Sequence, residues 1–283
     1  MSLILAATPL GNPGDASARL REAIESAGVI AAEDSRKFHR LCQDLQLTFS
    51  GRVISFFEGN EIERTPEILQ MLQAGENILV VSDAGMPTIS DPGFRLMRDA
   101  IAQGIDVSVI PGPSAVTMAL ALSGLPTDRF TFEGFSPRAA GARKKFFEVL
   151  EHEERTVIWF EAPHRLEESL VDAVSIFGTE RPAVICREMT KRYEETIRGT
   201  LEELVKWSQT HEVLGEITIV LAGAAKDSAK KTASQLVERV KTYEEAGMDR
   251  KSAIATVADE YSVAKRVVFA AIVDAKSTSR ISP

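Results

Sequence analysis

Residues 80–93 read VVSDAGMPTISDPG. An apolar run ends abruptly in Ser82-Asp83. It gives way to two glycines, two prolines and a second aspartate, with no lysine or arginine. Gly85 lets backbone approach a ligand closely, and Pro87 and Pro92 stiffen that approach. A phosphate loop needs GxxxxGK[ST], and a dinucleotide fold needs GxGxxG in its first strand–helix turn. The first turn here, ATPLGNPGD (7–15), offers only G-x-x-G, so ATP and NAD are disfavoured. Acids without a cation suit a ligand that presents hydroxyls, an amine or a positive centre. S-adenosyl-L-methionine (SAM), with its adenine, ribose, amino acid and sulfonium, fits that description. A second Gly/Pro loop, VIPGPSA (109–115), ends the adjacent strand candidate, and two such loops side by side would form one pocket. The competing reading is a pair of structural turns, which α/β proteins commonly have.

The elements that must position these loops are legible as short apolar runs alternating with helical patterns. Strands are predicted at 3–7, 29–32, 52–56, 77–82 and 106–110, then at 130–135, 156–160, 182–187, 193–199 and 216–222. Phe38, Leu41, Cys42 and Leu45 fall on one helical face, as do Phe94, Met97 and Ile101. Helical patterns also occupy 141–151, 164–176 and 200–210. Strands separated by helices imply crossovers and a largely parallel sheet. The punctuation PGPS (111–114) marks a boundary, giving an N-terminal α/β domain over 1–113 and a second, mixed α/β domain over 114–224. In an open α/β sheet, ligands collect beyond the C-terminal strand ends, where Asp83–Pro92 lies. From Ala224 the composition changes: a polar linker, AAKDSAKK (224–231), opens a helical extension (225–283) with no strand. There Leu236, Val240 and Tyr243 mark a first helix. Asp249 caps a second that turns Ile254, Val257, Ala258 and Tyr261 inward, and Ser262 caps a third with Val263, Val267 and Ala270 on one side. The last two resemble a helix-turn-helix; a small packing bundle is the plainer reading.

With 283 residues, 44% of them hydrophobic and 26% charged, the chain has the mix of a soluble globular protein. No stretch approaches the roughly 20 apolar residues of a membrane span. The N-terminal apolar patch lacks a basic flank, so a secretory signal is not expected. Two cysteines, Cys42 and Cys186, are too few for a disulfide framework or a zinc site, which fits a reducing cytoplasm. The net charge of −8 argues against generic nucleic-acid binding, but it is uneven. Residues 226–283 carry 11 basic and 8 acidic side chains, against 22 and 33 in the first 225. SPRAAGARKK (136–145) holds four cations and no acid. Such patches bind phosphates even on an acidic protein, or are merely solvated faces.

Seven ordered stretches carry a family resemblance: ATPLGNPGD, AAEDSR (31–36), VVSDAGMPTISDPG, VIPGPSAV, FEGFSPR (132–138), FEAPHR (160–165) and CREMTKRYEE (186–195). Together they resemble the tetrapyrrole-methylase type of SAM-dependent methyltransferases. Within that superfamily they look like the branch that methylates a cytidine ribose 2′-oxygen in 16S rRNA of the small (30S) ribosomal subunit. The resemblance covers about residues 3–223. It implies a two-domain, non-Rossmann methyltransferase, usually a homodimer, with SAM in the cleft between domains. By position it assigns cofactor contacts to Leu10, to Asp83, Ala84, Gly85, Pro87, Ile89 and Ser90, to Gly112 and Ser114, to Phe160 and Glu161, and to Met189. The chain departs from the branch at Phe57-Glu58-Gly59-Asn60-Glu61, where a His-x-His-Asn-Glu run is common. Ser35 replaces a frequent Thr, and Ala139 a frequent Lys. The nearest alternative is a SAM-dependent methylase of a tetrapyrrole or other small molecule, which would not need the basic cluster. A non-catalytic nucleic-acid-binding protein is a more distant one.

A protonated ribose hydroxyl is a poor nucleophile, so ribose methylation wants a base or strong acceptor. The four histidines (39, 152, 164, 211) offer little. Glu188 or Asp34 is expected to accept the proton, and Lys191 to steady the developing negative charge. Against this, Asp34 also reads as a helix cap, and Glu188 with Lys191 as a local ion pair. RNA contact is expected through phosphates, splayed bases and the 2′-hydroxyl. Arg138, Arg143, Lys144, Lys145, Arg187, Arg192 and Arg198 are the candidates, with Lys265 and Arg266 adding to them. No metal is implied, since the displacement needs none and no ligand cluster appears.

Overall fold

The computed structural model describes residues 2–261 and 263–278, with the side chains of 226–232 and 276–278 left out of the description. Five strands form the first sheet: β1 (Ser2–Ala6), β2 (Val29–Ala32), β3 (Arg52–Ser55), β4 (Ile78–Val81) and β5 (Asp106–Ile110). Their order is β3-β2-β4-β1-β5 and every pairing is parallel. The crossovers carry α1 (Ala18–Ser26), α2 (Ser35–Asp44), α3 (Glu61–Gln73) and α4 (Phe94–Ala102). β2 and β4 are buried along their whole length, because helices cover both faces, with Leu20, Ile24 and Phe38 on one and Ile68, Leu72 and Leu96 on the other.

After α5 (Ala115–Ser123) come β6 (Phe130–Phe135), α6 (Ala140–Leu150), β7 (Thr156–Glu161), α7 (Leu166–Phe177), β8 (Pro182–Arg187), β9 (Glu195–Thr200), α8 (Leu201–Thr210) and β10 (Ile217–Leu221). The second sheet runs β6-β7-β10-β8-β9; β6 and β7 are parallel and the other pairings antiparallel. It is mixed, as the sequence implied. Its core is Trp159, Phe147, Leu170, Ile185, Leu204 and Ile219.

Both sheets fall in one compact unit, Met1–Leu150 with Arg155–Ala222; Glu151–Glu154 and Gly223–Pro283 form another. In the latter, α9 (Lys226–Glu245), α10 (Arg250–Glu260) and α11 (Lys265–Thr278) pack around Leu236, Val240, Ala253, Val257, Val268 and Ile272. Asp249 does cap α10, accepting from the Lys251 and Ser252 amides at 3.0 and 3.2 Å. Ser262 lies outside the described residues. The expected linker is instead the opening of α9, since Lys and Ala are good helix formers.

Three expected faces are turned. On α4 the buried residues are Leu96 and Ala100, while Phe94 and Ile101 are each 58% exposed. On α11 Val268, Ala271 and Ile272 point inward and Val267 outward. Tyr261 lies at the exposed end of α10. In each case apolar residues occur on two sides of the helix, and periodicity alone does not choose between them.

Candidate functional site

Strand ends build the site. β1 and β4 deliver their loops side by side, and Thr8 and Gly85 exchange amide hydrogen bonds at 2.9 and 3.1 Å. Gly85 has φ +78°, a conformation open to glycine at little cost, and even there a Cβ would press Leu10 at 3.2 Å. Around these loops lies a cavity of about 400 Å³. Leu10, Asp83, Ala84, Gly85, Ile89, Ser90, Ser114, Phe160, Glu161 and Met189 all line it, so ten of the twelve expected cofactor contacts converge. Pro87 and Gly112 do not line it. Pro87 is buried behind the loop, and the Gly112 α-carbon is pressed against Ala7, where a Cβ would come within 2.9 Å.

The walls divide by chemistry. Leu10, Ile89, Val116, Phe135, Phe160 and Met189 give an apolar side, with Phe135 edge-on to Phe160 at 5.3 Å. Five carboxylates, Glu33, Asp83, Asp91, Glu161 and Glu216, face it with one ammonium, Lys37. Four of the five are engaged. Asp83 pairs with Lys37 at 2.8 Å and accepts from the Asp34 amide at 3.0 Å. Glu33 accepts from the Asp83 amide at 3.0 Å; burial pushes its carboxyl up. Glu161 is buried and takes Ser136, the Ala162 amide and Arg165, the last two at 2.9 and 3.1 Å. Glu216 pairs with Lys191 at 3.1 Å. Asp91, like Glu33, forms no ion pair among the described residues, and it takes no backbone amide. Burial first, then the charges of Glu33, Asp83 and Glu216, push it up to about 7 against a weaker opposing hydrogen bond from Ser82.

The backbone marks the same place. Of the five non-glycine residues with positive φ among those described, four flank the cavity: Thr88 (+76°), Ser90 (+64°), Glu188 (+50°) and Thr190 (+66°). A β-branched residue there is a true outlier, and such outliers cluster at ligand sites.

The expected proton acceptors are placed elsewhere. Asp34 caps α2: its Oδ1 accepts from the Arg36 amide at 2.8 Å, and its Oδ2 pairs with the Arg36 guanidinium at 2.8 Å. Arg36 holds the carboxyl well below its ordinary range. Glu188 is locked in a local network, accepting from Lys191 and from the Glu216 amide, both at 2.9 Å. Burial pushes Glu188 up, but the Glu216 amide and Lys191 outweigh it and leave the carboxyl below its ordinary value. Lys191 is raised, burial being outweighed by Glu188 and Glu216. Neither Glu188 nor Lys191 lines the cavity; their loop instead braces its rim, with the Lys191 stem over Gly11 and Thr190 Oγ1 accepting from the Asn12 amide at 3.2 Å. Asp91, Lys37 and Glu216 are the charged lining residues that sequence reasoning did not name; Glu33, which follows β2, is a candidate acid by sequence. Asp91 was within reach, because it sits in the quoted loop.

The basic candidates also separate. Arg143 is 1% exposed and bonded to Asp172 at 2.7 and 2.8 Å, so it is a core residue and not a phosphate ligand. Arg198 donates to the carbonyls of Leu122 and Ser123 that end α5. Arg187 pairs with Glu195 at 3.2 Å, and half-exposed Lys144 reaches Asp172 at 3.5 Å. Arg138 and Lys145 are exposed, as is Arg192 over Tyr193. Lys265 and Arg266 are exposed at the start of α11. Cys42 and Cys186 are free and buried, and burial pushes both thiols up to about 11. Among the described residues no cluster could hold a metal ion, and no helix is long and apolar enough to cross a membrane.

The chain is 48% identical over 256 residues to the ribosomal RNA small subunit methyltransferase I of Mycobacterium bovis, covering 90% of this chain and 88% of that one. It is 40% identical to the Synechocystis protein of the same name, covering 94% and 95%. Its fold matches the uroporphyrin-III C-methyltransferase of Thermus thermophilus complexed with S-adenosyl homocysteine, with TM-score 0.53 and 18% identity over 78% of this chain and 96% of that one. Residues 2–205 match the model of the tetrapyrrole (corrin/porphyrin) methylases, and the chain therefore belongs to that family.

Proposed function

We propose that this protein transfers a methyl group from SAM to a cytidine ribose 2′-oxygen in 16S rRNA, acting in the cytoplasm on the free RNA or the 30S subunit. The observation that carries the reading is the cavity, amphipathic and acidic, at the joined ends of β1 and β4 in a methylase fold. Its donor set suits SAM: apolar walls for an adenine, carboxylates for hydroxyls, an ammonium and a positive sulfur. Leu10, Phe160 and Met189 would hold the adenine side, and Asp83, Ser90 and Ser114 the polar side. When bound, SAM would supply an electrophilic methyl group on its sulfonium, the carbon–sulfur bond breaking as the oxygen–carbon bond forms and the neutral thioether leaving. The chain's part is to orient the nucleotide, exclude water and take the hydroxyl proton. Asp91 is the carboxyl placed for the last task, and Lys37 the cation that balances charge at the rim.

The relatives' names favour ribosomal RNA over a tetrapyrrole. Arg138, Lys145 and Arg192, with Lys265 and Arg266, are the phosphate contacts in this reading. It divides the chain after residues 113 and 224 and pairs two copies: Phe94, Ile101 and Val109 leave an apolar surface at α4 and the edge strand β5 that a second copy would cover. The test is transfer of labelled methyl from SAM to 30S particles or 16S rRNA, with a corrinoid precursor as the rival acceptor. Labelled ribose in the RNA is expected; label only in the corrinoid would overturn the reading.

Cofactor binding should depend on pH. Asp91, near 7 in the free protein, is mostly protonated at pH 6, and a cationic ligand favours its ionised form. SAM affinity therefore rises about tenfold from pH 6 to 8 and levels off above. Calorimetry in two buffers of different ionisation enthalpy should show proton release near pH 6.5, absent in Asp91→Asn.

A further inference from the structure

Beside the cavity, sharing Glu33 and Asp83 with it, lies a more open groove of about 420 Å³, lined also by Asp34, Arg36, Ser55 and Phe57. Its one apolar element is the Phe57 ring, 44% exposed and part of no apolar core cluster among the described residues.

The turn that carries the ring is stiff. Asn60 Oδ1 accepts from the Phe57 amide at 2.8 Å, and Asn60 Nδ2 donates to the Ser55 carbonyl at 3.1 Å. The Phe57 carbonyl accepts from the amides of Asn60 and Glu61 at 2.9 Å each. The ring lies over bare backbone at Gly59, where a Cβ would come within 2.7 Å of Phe57 Cε2. An exposed aromatic fixed in this way is preorganised to be covered by a flat apolar partner.

The rest of the lining narrows the partner. Glu33, Asp34 and Asp83 present acceptors, and Arg36, 89% exposed beside Asp34, stands at the rim. A nucleobase has the matching parts: a face to stack, an exocyclic amine to donate to a carboxylate, and a backbone phosphate for a guanidinium. We propose that this groove receives the splayed-out base of the nucleotide to be methylated, stacked on Phe57, with its carboxylate edge favouring amino-bearing cytosine over uracil. The assignment rests on the RNA-methyltransferase reading and adds to it the seat of the substrate base.

The test is steady-state methylation of 30S particles or 16S rRNA by the full-length protein. Phe57→Ala should raise KM for the RNA about 10- to 100-fold, the scale of one lost base stack. SAM affinity by calorimetry should stay within about twofold. Phe57→Trp should restore KM, because it restores a stacking face. Gly59→Ala, which displaces the ring without removing it, should reproduce the Phe57→Ala defect. An unchanged KM in Phe57→Ala, or a defect that Phe57→Trp does not rescue, would overturn the assignment while the methyltransferase reading stands. A wild-type protein that methylates neither RNA substrate would remove both.

Discussion

Replacing Asp91 by asparagine is expected to lower the turnover of RNA methylation by about 10²- to 10⁴-fold, the usual worth of a positioned base. The physical reason is elimination by partnership. Of the five carboxylates that face the cavity, Asp83, Glu161 and Glu216 are paired with cations, and Glu33 accepts a backbone amide. A carboxylate held in an ion pair gives up basicity. Asp91 keeps it, because burial and three like charges raise it to about 7, where a base is both ionised and able to accept a proton. In the wild type, kcat/KM for SAM should climb with pH through the region of 7 and then level, because it reports the free protein. The Asn variant should lose that limb and bind SAM at pH 8 about as tightly as the wild type does at pH 6, so its turnover is read at saturating SAM. Glu188→Gln should keep near-normal turnover, as Glu188 lies outside the cavity in its own ion pair. If instead Glu188→Gln abolished methylation and Asp91→Asn spared it, the roles assigned here would be reversed.

The second large effect is on stability. Arg143→Ala removes the guanidinium that Asp172 pairs with between α6 and α7, where the arginine is fully buried and the aspartate nearly so. Breaking a buried pair from one side costs about 3–5 kcal/mol, because the other charge remains in place. For a domain of this size the melting temperature should fall by on the order of 10 °C. Lys144, 3.5 Å from the other carboxylate oxygen, is half-exposed and compensates little. The double variant Arg143→Met with Asp172→Leu should recover most of the loss, since the strain lies in the orphaned charge. RNA affinity, measured on folded protein, should be unchanged by either. A variant that melts like the wild type but binds RNA poorly would return Arg143 to the surface role that its composition suggested.

Arg143 also shows where sequence reasoning stops. In SPRAAGARKK the cations stand together without an acid, and the run reads as a basic face. The structure turns Arg143 onto the buried stripe it shares with Phe147 and Leu150, one and two turns on. The acid that makes this tolerable is 29 residues away on another helix, and no local pattern reports it. Asp34 is a milder case: its two roles are both legible in the sequence, and in the fold the cap and Arg36 occupy it. All ten strands could be read because short apolar runs between turn signals leave few alternatives. The convergence of three loops on one cavity could be read because their composition is rare and their order resembles a known family. Glu216 could not, because a single acid before a strand carries no signal until β10 is found between β7 and β8. The α4 face was misread because Phe94 and Ile101 obey helical spacing as well as Leu96 and Ala100 do.

The place of β10 bears on how the chain is made. Synthesis delivers residues in order at roughly 5–20 per second. β7 and β8 therefore leave the ribosome well before the strand that separates them. Until residues 217–221 follow, β7 pairs only with β6 and β8 only with β9, and each shows an open hydrogen-bonding edge to its surroundings. The same late segment brings Gly215, Glu216, Ile217 and Thr218, one wall of the cavity. No ligand can rescue a half-made second sheet, because its seat does not yet exist. Between the emergence of β8 and that of β10 the nascent chain carries both open edges at once, and a chaperone that covered them would suppress mispairing.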